Sequence, residues 1–253
     1  MRSPDGLPFL WKPPQYEPLE VRAVEYGGPI EHPLLVTTAP RPHGHSLFAT
    51  LDSLKRAGLD GWRGPLLMEA DGYLPTAPGW ITRATPEPEG STRCLLRGLE
   101  LAMAYAPDLT QLTICQDDVA LCLGALDYIQ RVRMPPIARL AAYFSEGWPG
   151  GEQVQPSWGL IRGRQFMDAQ LITLTRQMVE ALLAFNMTYW GHRHSCDILI
   201  SRVDCGDWLC AIHGPSLAQH TEGENSACEH SSLGPRLSPS FVGEDFNARG
   251  WLP

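Results

Sequence analysis

Lysine is almost missing from this chain: Lys12 and Lys55 are the only two among 253 residues. Arginine supplies the rest of a small basic complement, and Lys+Arg 20 against Asp+Glu 28 gives a formal net charge of -8. That balance excludes a broad basic surface for sequence-independent nucleic-acid binding and leaves room only for a local patch. Long hydrophobic runs are missing too. None approaches the roughly 18 residues that a membrane span needs. The opening segment, broken by prolines, lacks the apolar core of a secretory signal. Cysteine is sparse and irregular: 7 residues without regular spacing fit a reduced, intracellular setting better than a disulfide framework. Charged residues are only 19% and hydrophobic ones 43%, a globular composition that excludes a disordered or fibrous chain.

What is present reads as an α/β pattern. Residues 1–32 carry Pro4, Pro8, Pro13, Pro14, Pro18 and Pro29 and read as an irregular arm, leaving 33–253 as a single domain. The apolar run Leu34, Leu35, Val36, Thr37 predicts a strand covered on both faces. Leu47, Leu51 and Leu54 fall on one helical stripe that Gly58 stops. GPLLMEADG reads as a second buried strand, so the opening β–α–β unit favours a parallel sheet. A Pro/Gly-rich loop over 72–90 leads to a helix with Leu95, Leu99 and Met103 on one face, capped by Ser91 or Thr92. LTICQDDVALCL is a strand interrupted by two acids, and IARLAAYFSE is another strand. MDAQLITLTRQMVEALLAF reads as a helix, or as a strand followed by a helix. The last sixty or so residues, dense in His, Cys, Gly and Ser, read as loops with short elements.

Asp117 and Asp118 stand out. Two adjacent carboxylates at the end of a buried strand are expensive to desolvate unless a cation or an arginine neutralises them. In open α/β sheets the carboxyl ends of the strands are where ligands sit. Magnesium and manganese take carboxylate oxygens and share them with substrate phosphates. The pattern therefore suits a metal–diphosphate site; a pair of capping aspartates in a solvated turn is the plainer alternative.

At these residues the chain resembles the GT-A-fold nucleotide-sugar glycosyltransferases, most like the metal-dependent N-acetylglucosaminyltransferase type, over about residues 33–246. LLVTTAPRP with SLFATLDSLKRAG resembles the first strand and helix of that fold, and EADG the acidic turn that receives the donor base. CQDDV is similar to the DxD-type signature, PSWGLIRGRQ to the glycine loop before the long helix, SCDILIS to the acceptor-side acid, and GPSLAQHTEGENS to the late histidine segment. The resemblance implies a mainly parallel GT-A sheet flanked by helices, a loop-rich C-terminal part, and a hexosyltransferase that uses manganese or magnesium. It assigns Asp118 and His220 to the metal, Asp117 to the donor ribose or sugar, and Arg41 to the diphosphate or base. Asp71 would accept from the imide N–H of uracil, which points to a UDP-sugar donor. Gly159 and Gly163 would let the backbone approach the sugar, beside Trp158. Asp197 would be the general base of an inverting transfer to a hydroxyl. Asp197 also fits a helix N-cap, Asp71–Gly72 an ordinary turn, and His220 the surface of a Gly/Ser-rich loop.

The signature here is Gln-Asp-Asp, with neutral Gln116 where many members carry an acid. With no anchor or signal apparent, the resemblance implies a cytoplasmic, bacterial- or phage-like enzyme. The acceptor is left open between a glycan, a small molecule and a hydroxymethylated DNA base; arginines between Arg131 and Arg202 would supply the patch that DNA requires. Two other readings stand beside transfer. A GT-A-like module that binds nucleotide or glycan without turnover is one. A structural zinc site built from His192, His194, Cys196, Cys205, Cys210 and His213 is the other, although none of their spacings matches the paired pattern such sites favour.

Overall fold

The computed structural model describes residues 16, 18–40, 46–72, 77–146, 155–185, 196–203, 208–221 and 237–253. In chain order its strands are β1 (Glu20–Ala23), β2 (Glu25–Tyr26), β3 (Leu34–Thr38), β4 (Leu66–Ala70), β5 (Ile81–Ala84), β6 (Gln111–Gln116) and β7 (Val119–Leu121). They continue with β8 (Val132–Arg133), β9 (Ala138–Ala142), β10 (Ser157–Arg162), β11 (Leu171–Thr175), β12 (Leu209–Gly214) and β13 (Ala218–His220). The helices are α1 (Leu47–Arg56), α2 (Ser91–Tyr105), α3 (Ala125–Arg131), α4 (Arg176–Ala184) and α5 (Cys196–Arg202).

Nine of the strands form one sheet in the order β1-β10-β12-β9-β11-β6-β3-β4-β5. All of them except β10 and β11 run in the same direction. This is the mixed, mainly parallel α/β architecture expected from the sequence. The alternation of side chains along β3 explains how the sheet becomes the middle of three layers. Leu35, with Leu67 and Ile114 from its neighbours, packs on Leu95 and Leu99 of α2, Met178 of α4 and Leu199 of α5. Leu34 and Val36, with Met68 and Cys115, pack on Leu47 and Leu54 of α1 and Leu126 of α3. Both faces are covered, so the strands are apolar runs rather than polar–apolar alternations.

Local chemistry sets the ends of these elements. Gly58 takes φ +108°, a left-handed conformation that a side chain would strain, and α1 stops just before it. Thr175 ends β11 and caps α4, its hydroxyl accepting from Met178 N–H at 3.3 Å, so the segment from 171 is a strand followed by a helix. The N-cap of α2 is Gly90, without a side-chain cap of its own, and neither Ser91 nor Thr92 fills that place. Asp71, just after β4, instead accepts from the amides of Glu89 and Gly90 that lead into the helix.

Several segments differ from the sequence reading, among them Ile81–Ala84, expected in the Pro/Gly-rich loop over 72–90, which pairs parallel with β4 as the edge strand β5. Glu20–Ala23, expected in the irregular arm, is an edge strand, because β10 offers it a full antiparallel ladder. Ser157–Arg162, expected as a glycine loop, is a sheet strand between β1 and β12. β12, expected among loops, lies in the sheet interior between β10 and β9. In each case pairing with a distant segment outweighs local composition.

Candidate functional site

β6 ends at Gln116, beside Thr37 of β3, and the chain turns through Asp117 and Asp118 before returning as β7. The turn is held from three sides. Thr38 Oγ1 donates to Asp117 Oδ2 at 2.5 Å, and Ala39 N–H reaches the same oxygen at 3.3 Å. On α1, Thr50 Oγ1 donates to Val119 O at 3.1 Å and accepts from Val119 N–H at 3.2 Å, while Ser53 Oγ accepts from Leu121 N–H at 2.8 Å. The third side is β13, which pairs antiparallel with β7 and sets His220 opposite Val119. Thr221 N–H then donates to Asp118 O at 2.9 Å, and His220 Nε2 lies 3.1 Å from Asp118 Oδ2.

These side chains are nearly removed from solvent: Asp117 is 2%, Asp118 4%, His220 6% and Asp197 8% exposed. His220 Nδ1 is buried and makes no hydrogen bond among the described residues. Burying such acids is costly unless hydrogen bonds or an opposite charge offset it, and here Thr38, Ala39 and His220 are among the groups that do so. The field of the pair is felt next door: burial first, then Asp118 and Asp117, push the Cys115 thiol far above its ordinary range.

Asp197 is the second residue of α5 and not its N-cap. Gln116 Nε2 donates to Cys196 Sγ at 3.2 Å, which fastens the start of α5 to the end of β6. Asp197 therefore stands near the end of β6, on a helix that packs against the face covered by α2 and α4, whereas β7 and β13 pack on the other face. Gln116, neutral in the signature, holds a neighbouring helix in place.

Asp71 has a different employment from the one expected. Its Oδ1 accepts from Glu89 N–H at 2.7 Å and its Oδ2 from Gly90 N–H at 2.7 Å, so it caps α2 from the end of β4. Arg97 Nη2 adds a contact to Oδ1 at 3.2 Å. Beneath it, the fully buried Glu69 accepts from Arg97 Nε at 2.7 Å and Arg83 Nε at 2.6 Å. A carboxylate already filled by its own chain is poorly placed to meet a uracil. Its role is to fix the loop that joins β5 to α2.

The glycines are not brought to the acidic turn. β10 runs against the parallel strands, so its far end, Arg162, lies beside Leu209 at the opposite edge of the sheet. A Cβ on Gly163 would come within 2.0 Å of the Trp208 ring, which is the close approach this glycine serves. Gly159 is paired mid-strand with Val21 and Ile212. Trp158 is buried, with its indole N–H donated to Arg133 O at 3.1 Å, and offers no face to a sugar. Arg41 lies outside the described residues, as do His192, His194 and Cys205. His213 does not fit a zinc ligand. Its Nε2 meets Tyr128 Oη at 2.8 Å and its Nδ1 meets Pro215 O at 2.7 Å, and burial lowers its pKa to about 4.

The residues present can be tested against a divalent ion. Two ligands at right angles, each about 2.1 Å from an octahedral ion, stand about 3.0 Å apart. The Asp118 Oδ2 to His220 Nε2 separation of 3.1 Å matches that edge. The carboxylate suits manganese or magnesium; an imidazole beside it is compatible with manganese but is a poor donor for magnesium. Among the described residues no three His, Cys, Asp or Glu side chains form a complete cage. The same 3.1 Å is also an ordinary N···O hydrogen-bond distance, and two side chains alone make no complete metal site. Thr38, Thr50 and Ser53, which hold this arrangement, escaped the sequence reading; a threonine ending a buried strand was the one available signal.

No family model matches the chain, and no curated protein matches it. Among solved structures it is similar to the galactosyltransferase LgtC in complex with donor and acceptor sugar analogues, at 9% identity and TM-score 0.39, covering 62% of this chain. The match spans 61% of that galactosyltransferase's length. It is also similar to A197 from STIV, at 8% identity and TM-score 0.38, covering 76% of this chain and 85% of that one. At these values the likeness assigns no activity to this chain. Among the described residues no helix is long and apolar enough to cross a membrane.

Proposed function

We propose that the acidic turn after β6 is the donor site of a metal-dependent glycosyltransferase that moves a hexose from a nucleotide sugar to a hydroxyl acceptor. The observation that carries this reading is the buried Asp118–His220 pair, 3.1 Å apart at the carboxyl edge of the sheet, with Asp117 held beside it by Thr38. Asp118 and His220 hold the cation, and Asp117 meets the donor ribose or sugar. Manganese or magnesium, when bound, supplies a Lewis acid that offsets the charge on the departing diphosphate.

The chain's own part in the chemistry belongs to Asp197. Its carboxylate takes the proton of the acceptor hydroxyl as that oxygen bonds to the anomeric carbon. The bond from that carbon to the diphosphate oxygen breaks in the same displacement, the diphosphate leaves with the electron pair, and the configuration inverts. UDP-linked sugars are the first donors to test. Asp71 acts as a positioning residue, since its oxygens already cap α2.

The test is turnover of a panel of nucleotide sugars with and without manganese, on the wild type, Asp118→Ala and Asp197→Asn. Asp118→Ala should abolish metal-dependent turnover. Asp197→Asn should lower transfer by on the order of a hundred- to ten-thousandfold while donor binding is kept. Saturable UDP binding with no turnover on any acceptor, including DNA carrying hydroxymethylated bases, would leave a binding module instead.

A further inference from the structure

A cleft lies at the edge of the sheet away from the acidic turn. Its volume is about 540 Å³, and Lys55, Asp60, Trp62, Pro65, Trp80 and Ile81 are among the residues that line it. That size falls within the range of small-molecule sites. β4 begins beside the cleft at Leu66 and ends at Ala70, just before Asp71, so the length of a strand, about 16 Å, separates the two edges. None of the residues assigned to the acidic turn lines it.

We propose that this cleft binds carbohydrate, taking pyranose rings of a neutral oligosaccharide against Trp62 and Trp80. It stands independently of what the acidic turn does, because it rests on different residues at a different edge.

Both indoles pack on the core with one side and remain half-exposed on the other. Trp62 is locked: its Nε1–H donates to His32 O at 3.0 Å, and its ring meets the His32 ring edge-on with centroids 4.8 Å apart. Trp80 is anchored through its backbone N–H to Ala77 O at 3.2 Å. A ring fixed before a ligand arrives, as Trp62 is, loses little freedom on binding.

The rim decides the ligand class. The face of an indole is electron-rich and attracts the polarised C–H groups of a sugar ring. Sugar hydroxyls need acceptors and donors together. Asp60 and Lys55, both exposed, supply one of each, and Gly79 leaves backbone open beside them, with nothing within 4 Å of where a Cβ would stand. A phosphorylated ligand would be repelled by Asp60, and Lys55, which already lies 3.6 Å from Asp52, offers it only a shared charge.

Three soluble probes test this: maltohexaose, cellohexaose and chitohexaose, titrated into the full chain by calorimetry and tryptophan fluorescence, without metal or nucleotide. At least one should bind, and the Trp62 and Trp80 indole N–H resonances should move. Trp80→Ala should weaken binding about tenfold or more, Trp80→Phe should restore part of it, and Asp118→Ala should bind as the wild type does. The indole shifts serve as the reading if Trp80→Ala fails to fold. Failure of all three probes to bind at millimolar concentration overturns the proposal. So does binding that survives Trp80→Ala in a folded protein or is lost with Asp118→Ala.

Discussion

His220 Nε2 stands 3.1 Å from Asp118 Oδ2, two buried side chains joined by the β7–β13 ribbon from widely separated stretches of chain. If the pair holds a metal, removing either side should weaken manganese binding by at least about a hundredfold in the presence of UDP, a loss beyond that seen for outer-shell partners. His220→Ala and Asp118→Asn, measured by calorimetry with the melting temperature followed alongside, give the answer. Unchanged affinity in a folded His220→Ala protein would reduce the pair to an internal contact.

Thr38 gives Asp117 a short, charge-assisted hydrogen bond at 2.5 Å. Hydrogen bonds to charged groups contribute about 1.5–3 kcal/mol. Thr38→Val keeps the shape and removes the hydroxyl, so stability should fall by about that much, and Thr38→Ser should recover most of it. Equal denaturation midpoints for Thr38→Val and the wild type would show that the bond contributes nothing.

Arg97 joins Glu69, Asp71 and Glu89 from one face of α2, and Glu69 has no solvent to fall back on. Arg97→Ala leaves Glu69 with Arg83 alone and Asp71 with two backbone amides, so no charge is stranded and urea unfolding should show a loss of about 1–3 kcal/mol. Arg97→Lys should repair little of it, since a single ammonium cannot reproduce a fork that serves Glu69 and Asp71 together. A full rescue by lysine would mean that charge alone matters here.

His32 and His213 are both held neutral by burial, with pKa values lowered to about 4. Their unfolded values lie near 6.5, so below that pH the unfolded chain binds protons that the folded chain refuses. Stability should be level above about pH 6.5 and fall as the pH drops towards 4, each histidine costing on the order of 3 kcal/mol at the bottom of that range. Melting curves recorded from pH 7.5 to 4.5 test this, and the slope should shallow in a folded His32→Asn variant. A flat profile would place both rings in contact with water.

Much of the framework could be read from local pattern. The runs at Leu34–Thr38 and Leu66–Ala70, the stripe of α1, the face of α2 and the interrupted strand before Asp117 carry their own periodicity. β10 and β12 could not be read this way, because each becomes a strand only through ladders with distant partners. The same reason hid the true work of Asp71: nothing near it in the chain tells that Glu89 and Gly90 amides will be waiting. His220 was singled out by likeness, yet its neighbour depends on the register of a short ribbon, a property of two segments and not of either one. Gly163 was misplaced because β10 reverses direction, which carries its end to the wrong side of the molecule.

The ribbon also dictates an order of events at the ribosome. Asp117 and Asp118 emerge while much of the chain, including β13, is still unmade. Until His220 has been synthesised and has docked, a nascent chain has acids and no imidazole at that turn. If the pair holds an ion, translation products that stop before His220 would carry only the acidic half of its grip.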